Sequence, residues 1–140
     1  MRIVFAADGS ACTEKALAFL VDHPNLAGAN DELLVLNVQP PLPPSIALLT
    51  GSEAAKDAHH EEALKVLNPV KQFLDRYSIR YRCDWVVGSP AAEIVDAALR
   101  ENAQLILMGT HGHGLLGRIV MGSVAQRVVA DSDVPVLLVK

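Results

Sequence analysis

Residues able to do chemistry are concentrated in two short stretches. Residues 109–123, GTHGHGLLGRIVMGS, hold five glycines, two histidines and one arginine. Residues 7–10, ADGS, carry the Asp8 carboxylate. Both stretches follow apolar runs that read as strands. A glycine-rich loop after a strand can cradle a phosphate, carry metal ligands or simply turn the chain, and spacing discriminates among these.

A Walker A loop needs a lysine after its last glycine, followed by Ser or Thr, whereas Gly122 is followed directly by Ser123. GHGLLG (112–117) matches GxGxxG formally. That fingerprint, however, should follow the first strand and have an acidic residue ~20 positions further on. Here it follows a late strand, and only Lys140 stands at the end of the next one. A zinc site needs three or four converging ligands. His111, His113 and the pair His59–His60 have no Cys, Asp or Glu at matching spacing. His59 and His60 read instead as residues of an exposed helix.

The wider spacing is more informative. Gly109, Gly112 and Gly122-Ser123 stand as G-x2-G-x9-G-S. Gly109 and Gly112 let backbone approach an anion without Cβ interference and can take positive φ. Gly122 and Ser123 would present free N–H groups where a helix begins, and the helix dipole favours negative charge there. Enough convergent backbone donors hold a phosphate without lysine. The plainer readings coexist with this one: Asp8 as a helix cap, Gly109 and Gly112 as turn residues, Ser123 as an N-cap.

These residues must be positioned by a scaffold, and the hydrophobic pattern supplies it. RIVFAA (2–7), ELLVLNV (32–38), YRCDWVV (81–87), QLILM (104–108) and VPVLLV (134–139) read as five strands. Alternation in 81–87, with Tyr81, Cys83, Trp85 and Val87 on one side, suits a sheet edge. Helical spacing of Ala16, Leu17, Leu20 and Val21 marks a helix from Ser10 to about His23. Residues 39–52, with four prolines between 40 and 44, read as an extended loop. Thr50 and Glu53 have capping-box spacing for a helix whose face runs Ala63, Val66, Leu67, Val70, Phe73, Leu74, Tyr77. That face stays in phase across Pro69, so one kinked helix is expected. Ser89-Pro90 opens another helix to about Asn102, and Val124, Ala125, Val128 and Val129 form the stripe of the last.

Strands joined by helical crossovers give a parallel sheet covered on both faces: one doubly wound α/β domain over 1–140. Such folds bind ligands beyond the carboxyl ends of the strands, which is where both chemical stretches fall. Hydrophobic residues make up 51% of the chain and aromatic residues only 4%, so the core is aliphatic, with Met108 and Met121 in it. Cys12 and Cys83 read as small buried hydrophobes. Net charge is −4 with no basic run, which argues against nucleic acid as partner. No apolar run approaches the ~20 residues of a membrane span, and MRIVFAADGS lacks signal-peptide features. The expectation is a cytoplasmic protein. VPVLLV opens with a proline, as edge strands do, yet is too apolar to leave its edge bare, so a homodimer through Val134–Val139 is expected.

With these residues assembled, the chain resembles the universal stress protein family over its whole length, in the nucleotide-binding subclass with signature G-x2-G-x9-G-(S/T). IVFAADGS, LLVLNV, GSPAAEIVDAA and LILMGTHGHGLLGRIVMGSVAQRVVADSDVPVLLVK carry the resemblance in order. It implies a strand order of 3-2-1-4-5 and a ligand that is ATP, or ADP or AMP, with Mg or Mn. Ala7 and Asp8 would then face Gly109 across the crevice, with Asp8 near the ribose, the phosphates and a metal. Val38 would meet adenine through its backbone, and Met108 and Gly109 would flank the nucleoside. Gly112, Gly122, Ser123 and Val124 would cradle the phosphates, with His111 beside the nucleotide and Arg118 either on the phosphates or solvated. The resemblance implies a dimeric, nucleotide-responsive stress or regulatory protein with no dedicated catalytic residue, leaving a further protein partner open. The alternative is a slow ATPase or phosphotransfer enzyme using the same crevice.

Overall fold

Residues 2–6 begin the sheet, and alternation between its two buried faces explains why the run is apolar after Arg2. Ile3 and Phe5 point into one hydrophobic layer and Val4 into the other, all three essentially fully buried. The computed structural model describes residues 1–111 and 121–140. Its strands are β1 (Arg2–Ala6), β2 (Glu32–Gln39), β3 (Tyr81–Val87), β4 (Leu105–Gly109) and β5 (Val136–Val139). The helices are α1 (Ala11–Asp22), α2 (Pro44–Thr50), α3 (Ser52–Leu74), α4 (Pro90–Arg100) and α5 (Ser123–Asp131). All strand pairs are parallel, in the order β3-β2-β1-β4-β5. This is the doubly wound α/β fold read from the sequence.

Ile3, Phe5, Leu33, Val35 and Leu107 pack with Leu17 and Leu20 of α1 and Leu67, Val70 and Leu74 of α3. On the other face Val4, Leu34, Leu36 and Ile106 meet Ile94, Ala97 and Ala98 of α4 and Ala125 and Val128 of α5. Each large aliphatic side chain removed from water contributes about 1.5–3 kcal/mol, so the sheet is clamped from both sides. That clamp fixes where the ends of β1 and β4 lie.

Several local expectations are corrected. Residues 39–52 are not all extended, because Pro44–Thr50 form α2. Pro44 stands in the first turn, where its missing N–H is no loss, and SIALLT contains no breaker before Gly51. The Thr50–Glu53 capping box is not formed. Gly51, at φ +77°, precedes α3, and the Thr50 hydroxyl donates to the Ile46 carbonyl. Pro69, by contrast, lies inside one continuous α3, the single helix expected. Val129 is 46% exposed rather than part of the α5 stripe, Val87 points to solvent, and Cys83 is only half-buried.

The edge position of β3 agrees with its alternation: Arg82 and Asp84 are exposed, while Tyr81, Cys83 and Trp85 pack on the α3 layer. α4 ends at Arg100 because Asn102 adopts φ +49°. The Ala103 and Asn102 N–H groups then close back on the Ala98 and Leu99 carbonyls, a Schellman ending. β5 occupies the other edge. Its Pro135 carbonyl accepts from Ile106 and its Val139 carbonyl from Thr110, so the intervening Val136 and Leu138 turn their backbone groups outward. Among the described residues no helix is long and apolar enough to cross a membrane.

Candidate functional site

The adjacent carboxyl ends of β1 and β4 open onto a cleft of about 480 Å³. That volume falls within the range of small-molecule sites. Of the residues singled out from sequence, Ala7, Asp8, Val38, Met108, Gly109, His111, Gly122, Ser123 and Val124 all line it. Gly112 and Arg118 lie outside the described residues.

The β1–α1 turn is built by Asp8. Its Oδ1 accepts the Ser10 N–H at 2.9 Å and the Thr13 hydroxyl at 2.8 Å, while the Asp8 N–H donates to Thr13 Oγ1 at 3.1 Å. Gly9 takes φ +79° to allow the turn. Asp8 therefore braces the turn into α1 but is not its cap, a position that Ser10 occupies, and it also stands at the cleft wall. Behind the turn, buried Asn37 donates from Nδ2 to the Ala7 carbonyl at 2.9 Å and accepts from Gln39 Nε2. Asn37 thus ties the end of β2 to the end of β1.

Across the cleft, two sequence arguments need a different physical reason. Gly109 is not among the positive-φ glycines. A Cβ there would meet the Cys12 Cβ at 2.3 Å, so glycine is demanded by the close approach of α1 to β4. The Gly122 N–H is not free either; it donates to the Thr110 carbonyl at 2.6 Å. Gly122 is the N-cap of α5 and Ser123 its first residue, and the first intrahelical bond runs from the Gln126 N–H to the Gly122 carbonyl. The donors that α5 offers are therefore those of Ser123, Val124 and Ala125, which have no intrahelical acceptor.

His111 joins the two sides. Its Nδ1 lies 3.1 Å from Thr110 Oγ1, and its ring nitrogens lie 3.7 and 3.8 Å from the buried Cys12 Sγ. Among the described lining residues, Asp8 and His111 are the ionisable side chains. The starts of α1 and α5 both border this polar wall, where their dipoles favour an anion. The facing wall is apolar: Leu36 and Val38 from β2, Pro40, and Pro90 and Ile94 from α4.

Sequence reasoning missed Ser10 and Thr13 as wall residues, along with Leu36, Pro40, Pro90, Ile94 and Ala125. Their signal was position, since most lie within a turn of a strand's carboxyl end. A second hollow, of about 380 Å³ and lined by Arg2, Glu32, Arg80 and Gln104, sits at the amino ends of the strands. Of its groups, Glu32 is engaged by Arg82 from outside the lining and Gln104 accepts the Arg2 N–H. Doubly wound folds do not place ligands at that end.

Fold and cleft together define a doubly wound α/β protein with a cleft at its switch point that has both apolar and anion-favouring lining. The chain belongs to the universal stress protein family, whose model matches residues 1–140. It is 36% identical over 138 residues to the Thermus aquaticus Universal stress protein in QAH/OAS sulfhydrylase 3'region, covering 99% of this chain and 97% of that one. It is 41% identical over 80 residues to Universal stress protein MJ0531 of Methanocaldococcus jannaschii, covering 57% of this chain and about half of that relative's length, 47%. The structure of MJ0577 from the same organism is similar at TM-score 0.84 and 31% identity, over 99% of this chain and 94% of that one. The universal stress protein of Archaeoglobus fulgidus in complex with dAMP is similar at TM-score 0.69 and 25% identity, over 100% and 98% of the two chains.

Proposed function

We propose that the cleft binds an adenine nucleotide and that the chain acts as a nucleotide-responsive regulatory protein. The observation that carries this reading is the two-sided lining. An apolar wall suits a base, and the N–H groups starting α5 suit phosphates. The dAMP complex of the Archaeoglobus fulgidus relative supports the same ligand class. In this reading Val38 meets the base, Met108 and Gly109 flank the nucleoside, and Ser123 and Val124 receive the phosphates. Gly112, Arg118 and the full G-x2-G-x9-G-S spacing extend the proposal to ATP.

A divalent cation, Mg or Mn, would be held by Asp8 together with the nucleotide's own oxygens, since no group of three metal-ligating side chains gathers among the described residues. Its chemistry would be to neutralise phosphate charge. With Asp8 and His111 as the ionisable lining among the described residues, binding is favoured over rapid turnover. The protein would work in the cytoplasm as a dimer, the outward backbone groups of Val136 and Leu138 pairing with a second copy.

The test is mass spectrometry of nucleotide released from freshly purified protein, followed by titration of the stripped protein with ATP, ADP and AMP. Saturable binding of at least one supports the reading. Absence of binding by all three at millimolar concentration refutes it.

A further inference from the structure

We propose that Ser10 is a phosphate-binding hydroxyl of this cleft, an assignment that rests on the adenine-nucleotide reading above. Ser10 is the N-cap of α1, where serine ordinarily turns its Oγ to accept an N–H of the first turn. Here it makes no such bond. The helix start is held by other groups: Asp8 Oδ1 takes the Ser10 N–H and the Thr13 hydroxyl, and the Ser10 carbonyl accepts from the Thr13 and Glu14 N–H groups at 3.0 and 3.3 Å.

Ser10 is nevertheless 8% exposed, and its Oγ is buried without a hydrogen-bond partner among the described residues. A buried hydroxyl left unpaired is destabilising and needs a physical explanation. Ser10 lines the cleft together with the polar residues Asp8, Thr13 and His111, while Leu36, Val38 and Ile94 contribute apolar lining. The apolar wall takes the base, which leaves the charged end of the ligand on the side of Ser10. A serine hydroxyl has a single rotor to turn, so rotation about χ1 exchanges its buried position for one on the cleft wall. The unpaired donor in the free protein is then satisfied by a phosphoryl oxygen in the complex.

The test compares wild type with Ser10→Ala by calorimetry with AMP and with adenosine, alongside thermal unfolding without nucleotide. Loss of a hydrogen bond to a charged group predicts about tenfold weaker AMP binding, or about 1.4 kcal/mol. Adenosine affinity should be unchanged, and the nucleotide-free melting temperature should equal or exceed that of wild type. An ordinary cap gives the reverse pattern, a lower melting temperature with AMP affinity intact, and overturns the proposal. Equal loss for AMP and adenosine overturns it too, placing Ser10 on the nucleoside. If Ser10→Ala does not fold, Ser10→Cys keeps the size with a weak donor and must show the same selective loss for AMP. Wild type binding AMP with Ser10→Ala unaffected removes Ser10 alone; wild type binding neither ligand removes the nucleotide reading and this assignment together.

Discussion

Gly109→Ala offers a sharp test of how the cleft is built. A methyl at this position would put its carbon 2.3 Å from the Cys12 Cβ and 3.4 Å from the Cys12 Cα and carbonyl carbon. Carbon atoms pack at about 3.5–4.0 Å, so relief requires more than ~1 Å of separation. No rotamer change supplies this, because the obstructing atom is a Cβ fixed by the first turn of α1. Either α1 or β4 must shift, and Cys12 is buried, at 2% exposure. Overpacking of this kind costs about 1–3 kcal/mol, and a backbone-bound clash belongs in the upper half of that range. The melting temperature should fall by roughly 2–4 °C per kcal/mol in a chain of this size.

Urea unfolding followed by circular dichroism measures the loss, and second-site changes identify its cause. Cys12→Ala retains the obstructing carbon and should rescue nothing. Cys12→Gly removes it and should recover most of the loss, less about 1 kcal/mol for glycine within a helix. Gly109→Ala within about 0.5 kcal/mol of wild type, the scale of a harmless surface change, would refute the reasoning. Equal rescue by Cys12→Ala and Cys12→Gly would refute it as well.

Three further outcomes follow from named contacts. Asn37→Leu strips the Ala7 carbonyl and Gln39 Nε2 of their partner in a buried site, so unfolding free energy should drop by about 1–3 kcal/mol in the same urea assay; no loss would mean that water replaces the amide. The Tyr81 hydroxyl donates to Asp75, whose carboxylate is the main cause of a pKa pushed up to about 12. Because the folded value lies above the unfolded value of about 10, this stability is complete below pH 10 and is lost as pH rises from 10 to 12. Tyr81→Phe should therefore lose less stability over that window than wild type, and identical slopes in pH-dependent unfolding would contradict the assignment. Leu138→Pro removes an outward N–H on an edge strand, so sedimentation should show a dimer for wild type and a monomer for the variant, with a monomeric wild type contradicting the proposed pairing.

The sheet was legible because a strand buried on both faces is apolar at consecutive positions, and 3–6, 33–36 and 105–108 satisfy that with polar or turn residues around them. The cleft was legible for a related reason: polar residues immediately after such strands converge at their carboxyl ends. Four features were not accessible from one sequence. α2 was hidden because prolines signal loop and helix start alike, and only the fold shows that Pro44 falls in a first turn. The requirement for glycine at 109 depends on Cys12, remote in sequence and brought near only by tertiary packing. The use of the Gly122 N–H by Thr110, and the unpaired Ser10 Oγ, are likewise facts of hydrogen-bond partnership rather than of residue type.

The central claim is that a nucleotide lies in the cleft with its phosphates against the start of α5. Gly122, at φ −71° and ψ 161°, has a conformation open to any residue, and it is buried where it lines the cleft. Gly122→Val therefore adds bulk at the phosphate position without backbone strain. Isothermal calorimetry of wild type and this variant with ATP and AMP is the most direct measurement. The account predicts saturable binding to wild type and at least about tenfold weaker binding to a variant that keeps its circular dichroism spectrum, a difference of about 1.4 kcal/mol or more. No binding to wild type, or equal binding to both proteins, would contradict it.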